Sequence, residues 1–153
     1  MRNERTKRIV VATDGSPGGG AAVGTGLELA RAAGAVATFV YVCRVPRPIL
    51  GDPFHGRALS AELRTGRLAV DEAVARAAEA GVEAELEILE GHPAEQILEL
   101  ARLRDARLIV VGSRGRGTVA GALLGSVSRA LVHKADRPVL VVRRREGESR
   151  LAA

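Results

Sequence analysis

Short runs of branched apolar residues alternate along this chain with longer stretches in which apolar residues recur every three or four positions. The runs have the length of strands, and the periodic stretches that of helices. The pattern predicts strands over residues 9–13 and 35–42, joined by a helix over 21–33 that Gly34 closes. Pro46, Pro48, Gly51 and Pro53 then break the pattern, so residues 44–56 read as a loop. Beyond it, residues 58–80 carry helical periodicity through Leu59, Leu63, Leu68, Val70 and Val74 to a stop at Gly81. Residues 82–89 alternate apolar and polar positions, which predicts a strand with one polar face at an edge of the sheet. Pro93 opens a helix whose inner face is Ala94, Ile97, Leu98 and Ala101, and Arg104 with Asp105 ends it. A strand over 108–111, a helix over Ser126–Lys134 stopped at Asp136, Arg137 and Pro138, and a fifth strand over Val139–Val142 complete the pattern.

Strands alternating with helices imply right-handed crossovers, and hence a parallel sheet with helices on both faces. Such a fold takes its ligand outside the carboxyl ends of the strands. The strands at 108–111 and Val139–Val142 are apolar at every position, as expected where a strand is covered on both faces or paired at an interface. With 153 residues and no internal repeat, the chain is expected to form one domain over 1–153, with its core at about 6–144 and basic tails at its ends. Aromatic residues make up 2% of it and Trp is absent, so Val, Leu, Ile and Ala must build the core. No apolar stretch approaches the ~20 residues of a membrane span, and residues 1–8 lead into a strand without an apolar leader, which predicts a cytoplasmic protein. The single cysteine, Cys43, cannot form an internal disulfide, in keeping with a reducing compartment. It reads as a small buried apolar residue rather than a nucleophile.

The strongest chemical signal lies between the strand at 108–111 and the helix at Ser126, in a loop that holds Gly112, Gly115, Gly117, Gly121 and Gly125. A glycine exposes its backbone N–H with no Cβ in the way, and a helix N-terminus adds free N–H groups and partial positive charge. Strand, glycine loop and helix start together suit an anion, phosphate above all. The loop does not end in Gly-Lys-Ser/Thr, so it is not a Walker A loop and lacks that loop's lysine. Nor do Gly115 and Gly117 continue as G-x-G-x-x-G, because Ala120 stands where the third glycine belongs. Asp14, Val42 and Gly112 fall at or near the carboxyl ends of three different strands, where a ligand is expected. Asp14 and its neighbours Gly15, Ser16 and Pro17 have a plain structural reading, in which Ser16 caps a helix and Pro17 takes its first position. They have a functional one too, since a carboxylate ending a buried strand needs a partner, and the two are compatible.

The spacing of Gly112, Gly115 and Gly125-Ser126, taken with the segments from Val10 to Ser16 and from Pro138 to Val142, resembles the nucleotide-binding branch of the universal stress protein family. Members of that branch bind ATP through G-x-x-G, nine residues, then G-Ser/Thr, and every specified position is filled here. The likeness covers residues 6–144. It implies a UspA-like α/β fold, Rossmann-like and of the adenine nucleotide alpha hydrolase-like kind, with a five-stranded parallel sheet in the order 3-2-1-4-5. It implies ATP as the ligand, with magnesium or manganese on the phosphates, Asp14 near the nucleoside and the backbone around Val42 at the adenine edge. Val42 has an equal claim to be a plain strand residue. By the same resemblance, Gly112 and Gly115 let the loop close on ribose and phosphates, while Gly125 and Ser126 present N–H groups and a hydroxyl. Ser128 stands where a family Ser or Thr often sits, although a solvated helix position explains it equally. A regulatory, nucleotide-binding role in stress survival and a homodimer paired through Val139–Val142 are implied as well.

Arg114 and Arg116, inside the loop, can neutralise a triphosphate by bidentate contact or face solvent. Gly18, Gly19, Gly20, Gly24 and Gly26 each cost a helix interior roughly 1 kcal/mol relative to Ala. That predicts a frayed first turn, with close approach of a ligand or loop as the other account. The net charge of +5 sits mainly at the ends, in Arg2, Arg5, Lys7 and Arg8 and in Arg143, Arg144, Arg145 and Arg150. No aromatic residues interleave to stack bases, so these read as solvated tails rather than a nucleic-acid surface. His55, His92 and His133 have no ligand-like spacing, and neither a nucleophile elbow nor a repeated acidic cluster is present, so no metal site and no catalytic residue is assigned. The functions left standing are an ATP-binding regulator, a slow divalent-cation-dependent ATPase and, third, a nucleic-acid-associated protein that uses its arginine tails.

Overall fold

The computed structural model describes residues 6–44, 51–117, 121 and 123–144. The apolar run β1 (Arg8–Ala12) lies at the middle of a five-stranded parallel sheet, between β2 (Val36–Cys43) and β4 (Leu108–Gly112). The edges are β3 (Ala84–Glu90) and β5 (Val139–Val142), giving the order β3-β2-β1-β4-β5 that the resemblance implies. In this register Val10 sits between Thr38 and Ile109. The two-residue period of a strand sends Ile9 and Val11 to one face of the sheet and Val10 and Ala12 to the other.

Helices α1 (Pro17–Ala33) and α2 (His55–Glu79) cover the first face, where Ala22, Val23, Leu27, Ala73 and Ala77 pack with Val11 and Phe39. Helices α3 (Pro93–Leu103) and α4 (Ser126–Lys134) cover the second with Ile97, Leu100, Ala101 and Leu131. The core is aliphatic, as the composition requires. Cys43 is buried within β2, as a small apolar residue would be.

Several boundaries differ from the sequence pattern. Helix α1 begins at Pro17, not at residue 21, and its first turn is formed rather than frayed. Ser16 caps it by accepting the Gly19 N–H at 3.2 Å. Packing outweighs propensity here: Gly26 is seated so closely on Val11 that a Cβ would lie 2.6 Å from its Cγ2. Helix α2 starts at His55, and its buried face is Gly66, Val70, Ala73 and Ala77, while Leu63 and Leu68 are exposed. Of the expected loop at 44–56, residues 45–50 lie outside the described residues. Strand β3 starts two residues late because Gly81, at φ 66°, and Val82 belong to the terminal turn of α2, where the Val82 N–H donates to the Ala77 carbonyl at 2.9 Å.

The polar edge is where the alternation places it. Glu85 and Glu87 of β3 pair with Arg8 and Arg104, so Arg8 is a strand residue with an ionic partner and not part of a solvated tail. Arg2, Arg5, Arg145 and Arg150 lie outside the described residues, whereas Lys7, Arg143 and Arg144 are exposed. Among the described residues, no helix is long and apolar enough to cross a membrane.

Candidate nucleotide site

The carboxyl ends of β1, β2 and β4 open onto a cavity of about 340 Å³. Asp14, Val42, Gly112, Arg114, Gly115, Gly125, Ser126 and Ser128, the residues singled out in the sequence, all line it. The strands and the helices that follow them create this meeting place, since parallel strands deliver successive loops to one end of the sheet. Its α3 side is apolar, with Val40, Val42, Ile97 and Val111. Its other walls are the glycine loop, the turn after β1 and Glu62 of α2.

Asp14 ends β1 and already has partners. Its Oδ1 accepts the Ser16 N–H at 3.0 Å as well as the Ser16 hydroxyl, while Oδ2 accepts the Arg116 N–H at 2.8 Å. One carboxylate therefore clips the turn that starts α1 to the glycine loop. The close approach needs a residue without a side chain at position 115, where a Cβ would stand 2.5 Å from Asp14 Oδ2. The loop is pinned at its ends too: Ser113 donates its N–H to the Val142 carbonyl at 2.8 Å, and Gly125 donates its own to the Ser113 carbonyl at 2.7 Å.

Ser128 is buried, and its hydroxyl reaches the carbonyls of Ser113 at 3.2 Å and Gly125 at 3.1 Å. It is thus no solvated helix position; the hydroxyl ties α4 to both ends of the loop. Ser126 is exposed at the first position of α4. No side chain caps this helix at Gly125, and the N–H groups of its first turn have no acceptor inside the helix. A phosphate at that position would supply the missing acceptor and meet the positive end of the helix dipole.

Arg114 is exposed and lines the cavity. Arg116 is exposed, yet its guanidinium is already engaged by a carboxylate of the protein itself. Its Nη2 donates to the Tyr41 hydroxyl at 2.6 Å and lies 3.2 and 3.3 Å from the two oxygens of Glu62, with the guanidinium carbon 5.6 Å from the centroid of the Tyr41 ring. Burial pushes the Tyr41 hydroxyl well above the ordinary phenol range, and its own hydrogen bond to Glu62 at 2.9 Å adds to that. Burial acts upward on Glu62 as well, but the hydrogen bonds from Arg116 and Tyr41, the Arg116 charge and the Arg44 N–H together hold its carboxyl below the usual carboxylate range. The group is ionised at neutral pH. Glu62 is not legible as a site residue in the sequence, because nothing in helical periodicity marks one glutamate among several. Tyr41 carried a signal that went unused: a tyrosine within an apolar strand must find a partner for its hydroxyl.

Residues 5–143 match the family model described as the universal stress protein family. A universal stress protein of Methanocaldococcus jannaschii is 37% identical over 145 residues, covering 93% of this chain and 85% of the relative. One of Thermus aquaticus is 38% identical over 137 residues, covering 90% and 98%. Among solved structures, UspA from Lactobacillus plantarum superposes with a TM-score of 0.83 at 26% identity, over 92% of this chain and all of that one (100%). A universal stress protein in complex with cAMP gives 0.65 at 30% identity, over 91% and 98%. One from Archaeoglobus fulgidus in complex with dAMP gives 0.70 at 25%, over 90% and 98%. With its sheet order, its glycine loop and a match running almost end to end, this chain belongs to the universal stress protein family.

Proposed function

We propose that this chain binds ATP, with magnesium or manganese on the phosphates, in the cavity at the carboxyl ends of β1, β2 and β4, and works as a regulatory nucleotide-binding protein of the cytoplasmic stress response. The observation that carries the proposal is the single cavity onto which Asp14, Val42, the glycine loop and the uncapped start of α4 converge. An apolar slot beside Val40, Val42 and Ile97 suits a base, and the α4 end suits phosphate. The relatives solved with cAMP and dAMP support an adenine nucleotide. The cation would be carried by the phosphates, and the Ser126 hydroxyl at the start of α4 is the side-chain oxygen we assign beside them.

A slow divalent-cation-dependent ATPase is the second reading. Asp14 and Glu62 are the carboxylates on the cavity wall, and both are engaged in hydrogen bonds within the protein, which argues against either acting as a free general base. Single-turnover phosphate release should fall well below the common enzyme median of ~10 per second. Mass spectrometry of the nucleotide released from purified, denatured protein tests the main proposal directly. Release of ATP supports it; recovery of no adenine nucleotide, together with no heat on titration with Mg-ATP, would refute it.

The proposal includes a homodimer. Strand β5 is an edge of four apolar residues, each half-buried in the single chain, and pairing with its own copy about a two-fold axis would satisfy its open backbone groups. Light scattering should give the dimer mass, and Val141→Lys should dissociate or aggregate it. A wild type that stays monomeric at high concentration would overturn the dimer.

A further inference from the structure

We infer that Glu62, acting through Arg116 and Tyr41, is a positioning residue that latches the glycine loop to α2 and β2 and sets how fast a nucleotide leaves the cavity; this rests on the nucleotide reading above. The latch joins three parts of the fold that are far apart in sequence. Tyr41 is fully buried in β2, and its hydroxyl donates to Glu62 at 2.9 Å. Arg116 reaches the same carboxylate from the loop at 3.2 Å, across 54 positions of sequence.

Helix α2 can deliver Glu62 to this point because it presses closely on β2. At Gly66, one turn further along, a Cβ would stand 2.6 Å from Tyr41 Cδ1. The arrangement is unlike the other helical ion pairs of the chain. Arg67–Asp71 and Arg102–Glu99 join neighbouring turns with side chains about half exposed or more, whereas Glu62 is 23% and Arg116 44% exposed and the carboxylate accepts from both Arg116 and Tyr41. Pairs of the first kind contribute little; a carboxylate that accepts charged and neutral donors in a partly desolvated place contributes more.

Glu62 and Arg116 belong to the wall of the cavity while part of each side chain remains in contact with solvent, so the bridge lies at the rim, between α2 and the loop. The Arg116 backbone is held separately by Asp14. The described part of the loop is therefore held at its backbone by Asp14 and through the Arg116 side chain by Glu62. For the loop to lift away, the Glu62 bridge must open. The packing of α2 on β2 has its own apolar contacts besides the bridge, through Gly66, Val70 and the Tyr41 ring.

Hydrogen exchange of the nucleotide-free full chain, followed peptide by peptide, tests the latch without relying on a ligand. Glu62→Ala should speed exchange of residues 114–117 about tenfold while leaving β1 and β4 unchanged, and Tyr41→Phe should do so more weakly. The charge-swapped pair Glu62→Arg with Arg116→Glu should recover much of the protection. In stopped-flow displacement of Mg-ATP, Glu62→Ala should raise the dissociation rate about tenfold and change the association rate far less. Unchanged loop exchange in Glu62→Ala and in Glu62→Gln, or no recovery in the swapped pair, would overturn the latch while the nucleotide reading stands. A wild type that binds no adenine nucleotide would instead overturn the reading of the cavity, and with it the claim on release rate.

Discussion

The chain is rich in glycine twice, between Gly15 and Gly26 and between Gly112 and Gly125, and the two stretches use the missing side chain in different ways. In α1 several of the glycines face the protein itself: Gly26 lets the helix lie on Val11, and Gly18 brings the first turn against the Arg114 carbonyl. In the described part of the loop after β4 the glycines line an open cavity, and the backbone approaches the protein closely at Gly112, against Gly18, and at Gly115, against Asp14. Glycine composition alone does not separate a packing device from a binding device. The separation comes from what stands opposite each position, and three substitutions put it to the test.

The largest effect is expected at Gly115. The first atom a new Cβ would meet there is Asp14 Oδ2, at 2.5 Å, before any ligand is considered. Because Gly115 is exposed, the loop can swing outward without disturbing the core, but it then loses the Arg116 N–H bond to Asp14. Gly115→Val should keep its far-UV circular dichroism and bind Mg-ATP at least ~100-fold more weakly in calorimetry, a loss of about 2.7 kcal/mol. Wild-type affinity in this variant would detach the glycine loop from the binding site.

Gly26 should behave the other way. Ala at this position gains roughly 1 kcal/mol of helix propensity, yet its Cβ would stand 2.6 Å from Cγ2 of Val11, a fully buried residue on the central strand. Overpacking of this kind costs about 1–3 kcal/mol, so the clash should win. Gly26→Ala should melt lower by about 2–4 °C for each kcal/mol lost, while its Mg-ATP affinity at room temperature matches the wild type. A higher melting temperature would show that α1 does not depend on close approach.

This contrast explains what could be read from the sequence. The alternation of apolar runs with helical stretches was sufficient for the parallel sheet, because strands such as Ile109 to Val111 are buried by any arrangement that covers both faces. The loop was legible because Gly112, Gly115 and Gly125 with Ser126 form a spaced pattern that simple turns would not need. Helix α1 was misjudged at its start: propensity counts the entropy that glycine loses, and it is blind to Val11 fifteen positions earlier in the chain, on which Gly26 rests. Arg116 was legible as a charge in the loop but not as half of a bridge, since its partners Tyr41 and Glu62 become neighbours only once β2, α2 and β4 have assembled.

The smallest effect, and the sharpest control on the comparison, belongs to Gly20. It lies within α1 like Gly26, but a Cβ there would meet nothing within 4 Å. Its carbonyl accepts the Arg76 guanidinium at 3.0 Å, a bond that a methyl group on the helix leaves in place. With no clash to offset it, Gly20→Ala should stabilise the protein by about 0.5–1 kcal/mol through helix propensity and a less flexible unfolded chain. The two positions are six residues apart, or about 9 Å along a helix, so the effects should add within about 0.5 kcal/mol in the double variant. Thermal unfolding of the two single variants and the double one decides the matter. Opposite shifts that nearly cancel would establish that the space opposite each glycine governs α1; shifts of the same sign would mean that propensity alone, or an unrelated repacking of the helix, sets its stability.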